Sequence, residues 1–141
     1  MLAGRVPDGT RRVRMTVDEW RRLERSSRTA KHEYIDGYAY AMAGGTQAHV
    51  RIAFNAASVV DAALSGGPCV AYPLDLATRL SESRYTYPDV VVTCEGTGVA
   101  SREQTEIGAP RVVFEVLSES TEQYDRTRKF AYYRQCASLQ E

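Results

Sequence analysis

The chain has 141 residues, 43% of them apolar and 26% charged, and its 18 basic side chains balance 18 acidic ones. That is the make-up of one ordinary globular domain with a single core. No apolar stretch approaches the length of a membrane span, and Met1-Leu2-Ala3-Gly4-Arg5 lacks the apolar core of a signal peptide. Cys69, Cys94 and Cys136 are widely spaced with no CxxC pattern. This argues against zinc and for reduced thiols in a cytoplasmic protein. The neutral total hides an asymmetry. Residues 1–31 hold nine Arg or Lys against four Asp or Glu, about +5, which leaves about −5 for residues 32–141. A solvated helix face with a basic arm accounts for this, and so does a phosphate-contacting surface beside an acidic centre.

In chain order, residues 1–14 carry Gly4, Pro7, Asp8, Gly9 and four arginines and read as a disordered basic extension. Order is expected from residue 15, through a single domain to residue 141. Thr16 can cap a helix with Glu19 as its capping-box partner, and Met15 can staple onto Trp20. Lys31–Ile35, the Asp36-Gly37 turn and Tyr38–Met42 predict a hairpin. After Gly44-Gly45, Thr46 caps a second helix whose apolar face reads Ile52, Ala53, Ala56, Val59, Val60 and Ala63, ending at Gly66-Gly67-Pro68. A strand is expected from near Cys69 through Leu80, a second from near Tyr87 and a third over Arg111–Leu117. Ser118 to Thr121 then offer caps for a last helix running to about Cys136.

Two carboxylates interrupt apolar runs. Asp89 opens Tyr87-Pro88-Asp89-Val90-Val91-Val92, and Glu115 stands inside Val112-Val113-Phe114-Glu115-Val116-Leu117. A buried ionised carboxylate is costly without a cation, a donor or water. If the two strands are neighbours, the period of two puts both acids on one face. Their repulsion then raises one pKa unless a cation sits between them. Hard oxygen donors with open water positions suit Mg²⁺ or Mn²⁺; structural carboxylates satisfied by donors are the alternative.

Further motifs come in order: His32-Glu33-Tyr34-Ile35-Asp36-Gly37, Ala41-Met42-Ala43-Gly44-Gly45-Thr46 with Ala48-His49, the Asp89 run, and Phe114-Glu115-Val116-Leu117-Ser118 with Thr121, Asp125 and Lys129. Over about residues 15–141 the chain resembles the Uma-two family, a bacterial group of the PD-(D/E)xK restriction-endonuclease-like superfamily. The resemblance implies an α/β fold. Its α-β-β-β-α core follows a helix and a β-hairpin, and the superfamily's final strand is missing here, which would leave a core edge unpaired. It also implies a metal-dependent endonuclease acting on nucleic-acid phosphodiesters. Asp89 and Glu115 would be its metal ligands and, with Lys129, its catalytic residues.

One position departs from the pattern. The motif lysine should stand two residues after the Glu, where this chain has Leu117. Lys129 is the natural substitute, although Asp125 and Lys129 at i,i+4 also fit an ordinary helix ion pair. Glu33, His49 and Asp75 are supporting candidates. Glu33 reads equally as an exposed strand acid, and His49 as a hydrogen-bonded packing histidine. Tyr124, Tyr132 and Tyr133 read as packing residues. The partner implied is nucleic acid, DNA in preference, with a homodimer to be tested and no membrane. Rival readings are a catalytically inactive nucleic-acid-binding module on the same fold and a structural or assembly protein.

Overall fold

The structure, a computed structural model, describes residues 12–42, 44–73, 76–95, 103–118 and 125–141, the side chain of Asp125 excepted. Asp75 and Tyr124, named above, lie outside the described residues, as do the expected helix caps beyond Ser118.

Two sheets form. The larger joins β1 (Arg12–Arg14), β2 (His32–Ile35), β3 (Tyr38–Ala41), β5 (Ala77–Ser81), β6 (Arg84–Thr86) and β8 (Glu106–Ile107) in the order β1-β3-β2-β6-β5-β8. The smaller joins β4 (Val70–Pro73), β7 (Val90–Thr93) and β9 (Pro110–Phe114), with β7 central. Pairing is antiparallel except between β5 and β8. Among the described residues three α-helices accompany them: α1 (Val17–Ser26), α2 (Gln47–Leu64) and α3 (Phe130–Arg134), the last entered through a π-helical turn, Asp125–Lys129.

Local chemistry sets the first elements. Glu19 N–H donates to Thr16 Oγ1 at 3.2 Å and Thr16 N–H donates back to Glu19 Oε1 at 3.1 Å, closing the capping box of α1. The β2–β3 hairpin turns on Asp36 and Gly37, with φ of +48° and +95°. This is the left-handed pair that a two-residue hairpin requires. Asp36 is held there by the Arg84 guanidinium at 3.1 Å and by Ser83 Oγ at 3.0 Å.

Trp20 anchors α1. It is 1% exposed, stacks obliquely on Tyr85 and Tyr34 with centroids at 4.7 and 5.9 Å, and donates its indole N–H to His32 O at 2.8 Å. Met15 packs against the same cluster. A second cluster of Leu80, Tyr133 and Cys136, with Val113, Tyr132 and Leu139, seats α3 against strands of both sheets.

Several expectations need correction. Residues 12–14 are not part of a disordered extension: they pair with Tyr38–Tyr40 as an edge strand. The single strand expected from Cys69 to Leu80 is two, β4 and β5, which belong to different sheets; Pro73 ends the first because it brings no N–H to a ladder. Cys69 and Cys94 are not free thiols but a disulfide, placed one step beyond the Val70↔Thr93 pair where β4 and β7 bring them opposite.

Helix α2 buries its expected face only in part. Ala53 and Ala57 are buried, whereas Ile52 and Val59 are 54% and 71% exposed. The helix packs on β4 and β7, and small side chains let its backbone approach them closely. The outer edge of β9 is not bare either. Gln140 N–H donates to Arg111 O at 2.8 Å, and Val113 N–H donates to Glu141 O at 2.9 Å. Among the described residues no helix is long and apolar enough to cross a membrane.

Replacing Trp20 with Ala removes the anchor and leaves a cavity. We expect a loss of about 3–5 kcal/mol, read from urea unfolding. A midpoint within error of wild type would show that α1 does not depend on this side chain.

Candidate active site

The antiparallel β7–β9 pair decides the geometry of the acids. Val90 lies opposite Phe114, so Asp89 and Glu115, each one step further, meet at the same end of the ladder. They are tied crosswise. Asp89 N–H donates to Glu115 Oε1 at 3.0 Å, and Val116 N–H donates to Asp89 Oδ2 at 2.7 Å. One oxygen of each carboxylate is thus fixed by the other strand's backbone.

The remaining oxygens face side-chain donors. His49 Nε2 lies 2.8 Å from Asp89 Oδ1. The N-terminus of α2 aims it there, with His49 N–H donating to Thr46 Oγ1 at the cap. Lys129 Nζ lies 2.6 Å from Glu115 Oε2 and 3.0 Å from Glu33 Oε2. Lys129 is 5% exposed and Glu33 3%. Glu33 is therefore no exposed strand acid. It projects from β2 of the larger sheet, and Lys129 closes the π-helical turn that precedes α3.

Thus Asp89, Glu115, Lys129, Glu33 and His49 share one centre at the seam of the two sheets. Tyr132 and Tyr133 pack, as expected: Tyr133 is buried between Leu80 and Cys136, and Tyr132 lies under the Arg84 guanidinium at 4.4 Å. Missed in the sequence was the depth of Lys129. The signal available was compositional: Lys31 and Lys129 are the only lysines among 18 basic residues.

Electrostatics follow from burial. Desolvation lifts the Glu115 carboxyl to about 7; Lys129 opposes this, while the charges of Asp89 and Glu33 add to it. Burial also pushes the Tyr133 phenol well up, with the Glu115 charge adding to it. With every group ionised, three carboxylates and one ammonium sum to −2, which one divalent ion would cancel.

The donor set suits such an ion in part. Two hard carboxylates, each with one oxygen facing a displaceable side chain, match the way Mg²⁺ is held by one or two acids with water in the other positions. Among the described residues no group of three or more His, Cys, Asp or Glu is placed to hold a metal ion. The same hydrogen bonds also satisfy what a structural carboxylate pair needs.

Residues 17–141 match the Uma2 family, described as "Putative restriction endonuclease". The chain belongs to this family. It is 38% identical over 130 residues to the uncharacterized protein slr1290 of Synechocystis sp., covering 91% of this chain and 66% of that one. It is 30% identical over 128 residues to sll1609 of the same organism, covering 90% and 72%. The chain thus spans roughly two thirds of the length of these relatives. Its fold is similar to the crystal structure of a putative nuclease belonging to DUF820 from Anabaena variabilis, with a TM-score of 0.69 and 21% identity over 85% of this chain and 68% of the other. An α/β fold of the restriction-endonuclease-like kind is therefore established for the Uma2 chain.

The raised Glu115 pKa carries a signed consequence for metal-free protein. Between the ordinary value of 4.5 and about 7 the native state holds a proton that the unfolded state has released. Stability from this group is present below that window and lost as pH rises through it. Unfolding free energy measured in chelator should fall from pH 5 to pH 7.5, and Glu115→Gln should flatten that fall. A wild-type minus variant difference independent of pH would contradict the assignment.

Proposed function

We propose that this Uma2 domain is a metal-dependent endonuclease that hydrolyses phosphodiester bonds of nucleic acid, DNA in preference. The observation that carries the reading is the convergence of Asp89, Glu115 and Lys129 at one buried centre, within a family described as "Putative restriction endonuclease". Asp89 and Glu115 would hold Mg²⁺ or Mn²⁺, which supplies a Lewis acid and an activated water when bound. The crosswise backbone hydrogen bonds keep both carboxylates pre-aimed, so binding would need little rearrangement. Lys129 brings a fixed positive charge to the side of Glu115, where it orients water or stabilises negative charge building on the phosphate. His49 restrains Asp89 through Oδ1.

The basic residues before Lys31 would meet the phosphates, and their contribution should weaken with salt. A homodimer is the assembly we favour, because Val50, Ile52, Phe54 and Val59 leave apolar area exposed on α2. We place the protein in the cytoplasm with its nucleic acid. There the Cys69–Cys94 pair would meet reducing thiols.

A catalytically inactive nucleic-acid-binding domain is the second reading, favoured by the lack of a lysine at position 117. Two measurements separate the readings. Mg²⁺ should raise the melting temperature of wild type by binding the native state, and Asp89→Ala with Glu115→Ala should abolish that rise. Equal stabilisation of both proteins would remove the metal site. In a plasmid-nicking assay, Lys129→Met should lower the metal-dependent rate by about a hundredfold or more. The assay temperature must lie below the variant's melting point, since breaking a buried pair costs about 3–5 kcal/mol. Metal binding without nicking in wild type would favour the inactive module.

A further inference from the structure

We propose that Lys129 is a placeholder cation, holding Glu115 in the metal-free protein, and that Glu33 is the positioning residue that retains its ammonium when a divalent ion takes over Glu115. This rests on the metal-site reading above and extends it to residues that do not themselves hold the ion.

Three observations converge. First, Lys129 Nζ lies within 3.0 Å of two carboxylates that come from different sheets, Glu33 on β2 and Glu115 just past β9. The shorter contact, 2.6 Å, is to the candidate metal ligand, and the longer is to an acid outside the Asp89–Glu115 pair. Second, the oxygen of Glu115 that meets Lys129 is the one its backbone donor leaves over, so that position is already given to a cation. Third, this chain places one of its two lysines here, although every other basic residue apart from Lys31 and the two histidines is arginine.

The choice has a physical reason. A guanidinium is a planar fork that grips a carboxylate with two parallel bonds, whereas an ammonium is a compact point charge that rotates freely. A point charge is the nearer mimic of a small ion, and it can give up one carboxylate while keeping another. Glu33 supplies the second carboxylate. Without it, an ammonium released by Glu115 would lose both of these buried counter-charges, which favours a move of its side chain toward water.

Having only two lysines makes the test direct. Protein labelled with ¹⁵N-lysine should give two side-chain ammonium signals, assigned with Lys31→Arg. In metal-free wild type the Lys129 signal should be protected from exchange with water. Saturating Mg²⁺ should shift it while leaving it visible, with Lys31 unmoved. In Glu33→Gln the metal-free signal should persist, held by Glu115, and Mg²⁺ should then broaden it away. Mg²⁺ affinity, from the melting-temperature shift, should survive Glu33→Gln but not Asp89→Asn.

A Lys129 signal unchanged by saturating Mg²⁺ would overturn the placeholder role. A signal that stays sharp in Mg²⁺-loaded Glu33→Gln would overturn the role of Glu33, as would loss of Mg²⁺ affinity matching that of Asp89→Asn. Should Glu33→Gln not fold, Glu33→Asp, which keeps the charge but shortens its reach, carries the same comparison. Failure of Mg²⁺ to stabilise wild type at all would instead bring down the metal reading, and this inference with it.

Discussion

One buried ammonium joins the two halves of this fold. Lys129 reaches Glu33 on the larger sheet and Glu115 at the end of the smaller one, and all three side chains are largely withdrawn from water. Desolvating each such ion costs several kcal/mol, so the arrangement is stable only while every member keeps its partner. That constraint fixes more than a salt bridge. It sets the height at which the π-helical turn must deliver Lys129 and the spacing between β2 and β9. A widened turn is a common way to re-aim one side chain without moving the helix that follows, here α3 with Tyr133 in the core.

The Asp89–Glu115 pair solves a different problem. Two carboxylates at the same end of an antiparallel ladder repel, yet here each accepts an N–H from the opposite strand. Donors fixed in the backbone favour the charged forms without lost side-chain entropy. They leave His49 and Lys129 to face the remaining oxygens, and those two partners differ in kind. Imidazole is a neutral or singly charged donor carried at a helix N-terminus, whereas the ammonium is buried and doubly held. Burial lifts the Glu115 carboxyl to about 7 even though Lys129 opposes it, so a modest change of surroundings near neutral pH switches its charge.

The sequence disclosed what is local. The capping box at Thr16, the Asp36-Gly37 turn and the alternation that puts Asp89 and Glu115 on one face each depend on residues a few positions apart or on a fixed period. What it did not disclose depends on which elements meet. Glu33 could be read as an exposed strand acid because nothing in His32-Glu33-Tyr34 says that a lysine almost a hundred residues later will cover it. The face of α2 was misread in part for the same reason. Ile52 and Val59 have the right spacing for a core stripe, but the alanines face β4 and β7. Likewise Cys69 and Cys94, 25 residues apart, become partners only through the register of β4 on β7.

The polar links of α1 show how far the support of the centre extends. Glu24 accepts from His32 N–H and from Tyr87 Oη–H through Oε1, each at 2.8 Å, and its Oε2 lies 2.8 Å from His32 Nδ1. Trp20 takes the carbonyl of the same histidine. His32 is thus gripped at its N–H, its carbonyl and its ring, and the next residue in the chain is Glu33. On a strand, fixing one residue's backbone fixes the direction of its neighbour's side chain. Tyr87 carries the same clamp to the other side of the site, two residues before Asp89. Helix α1 supplies no member of the charged centre yet sets the bearing of two of its acids, so the core packing of Trp20 becomes a condition for the geometry of that centre rather than a separate matter of stability.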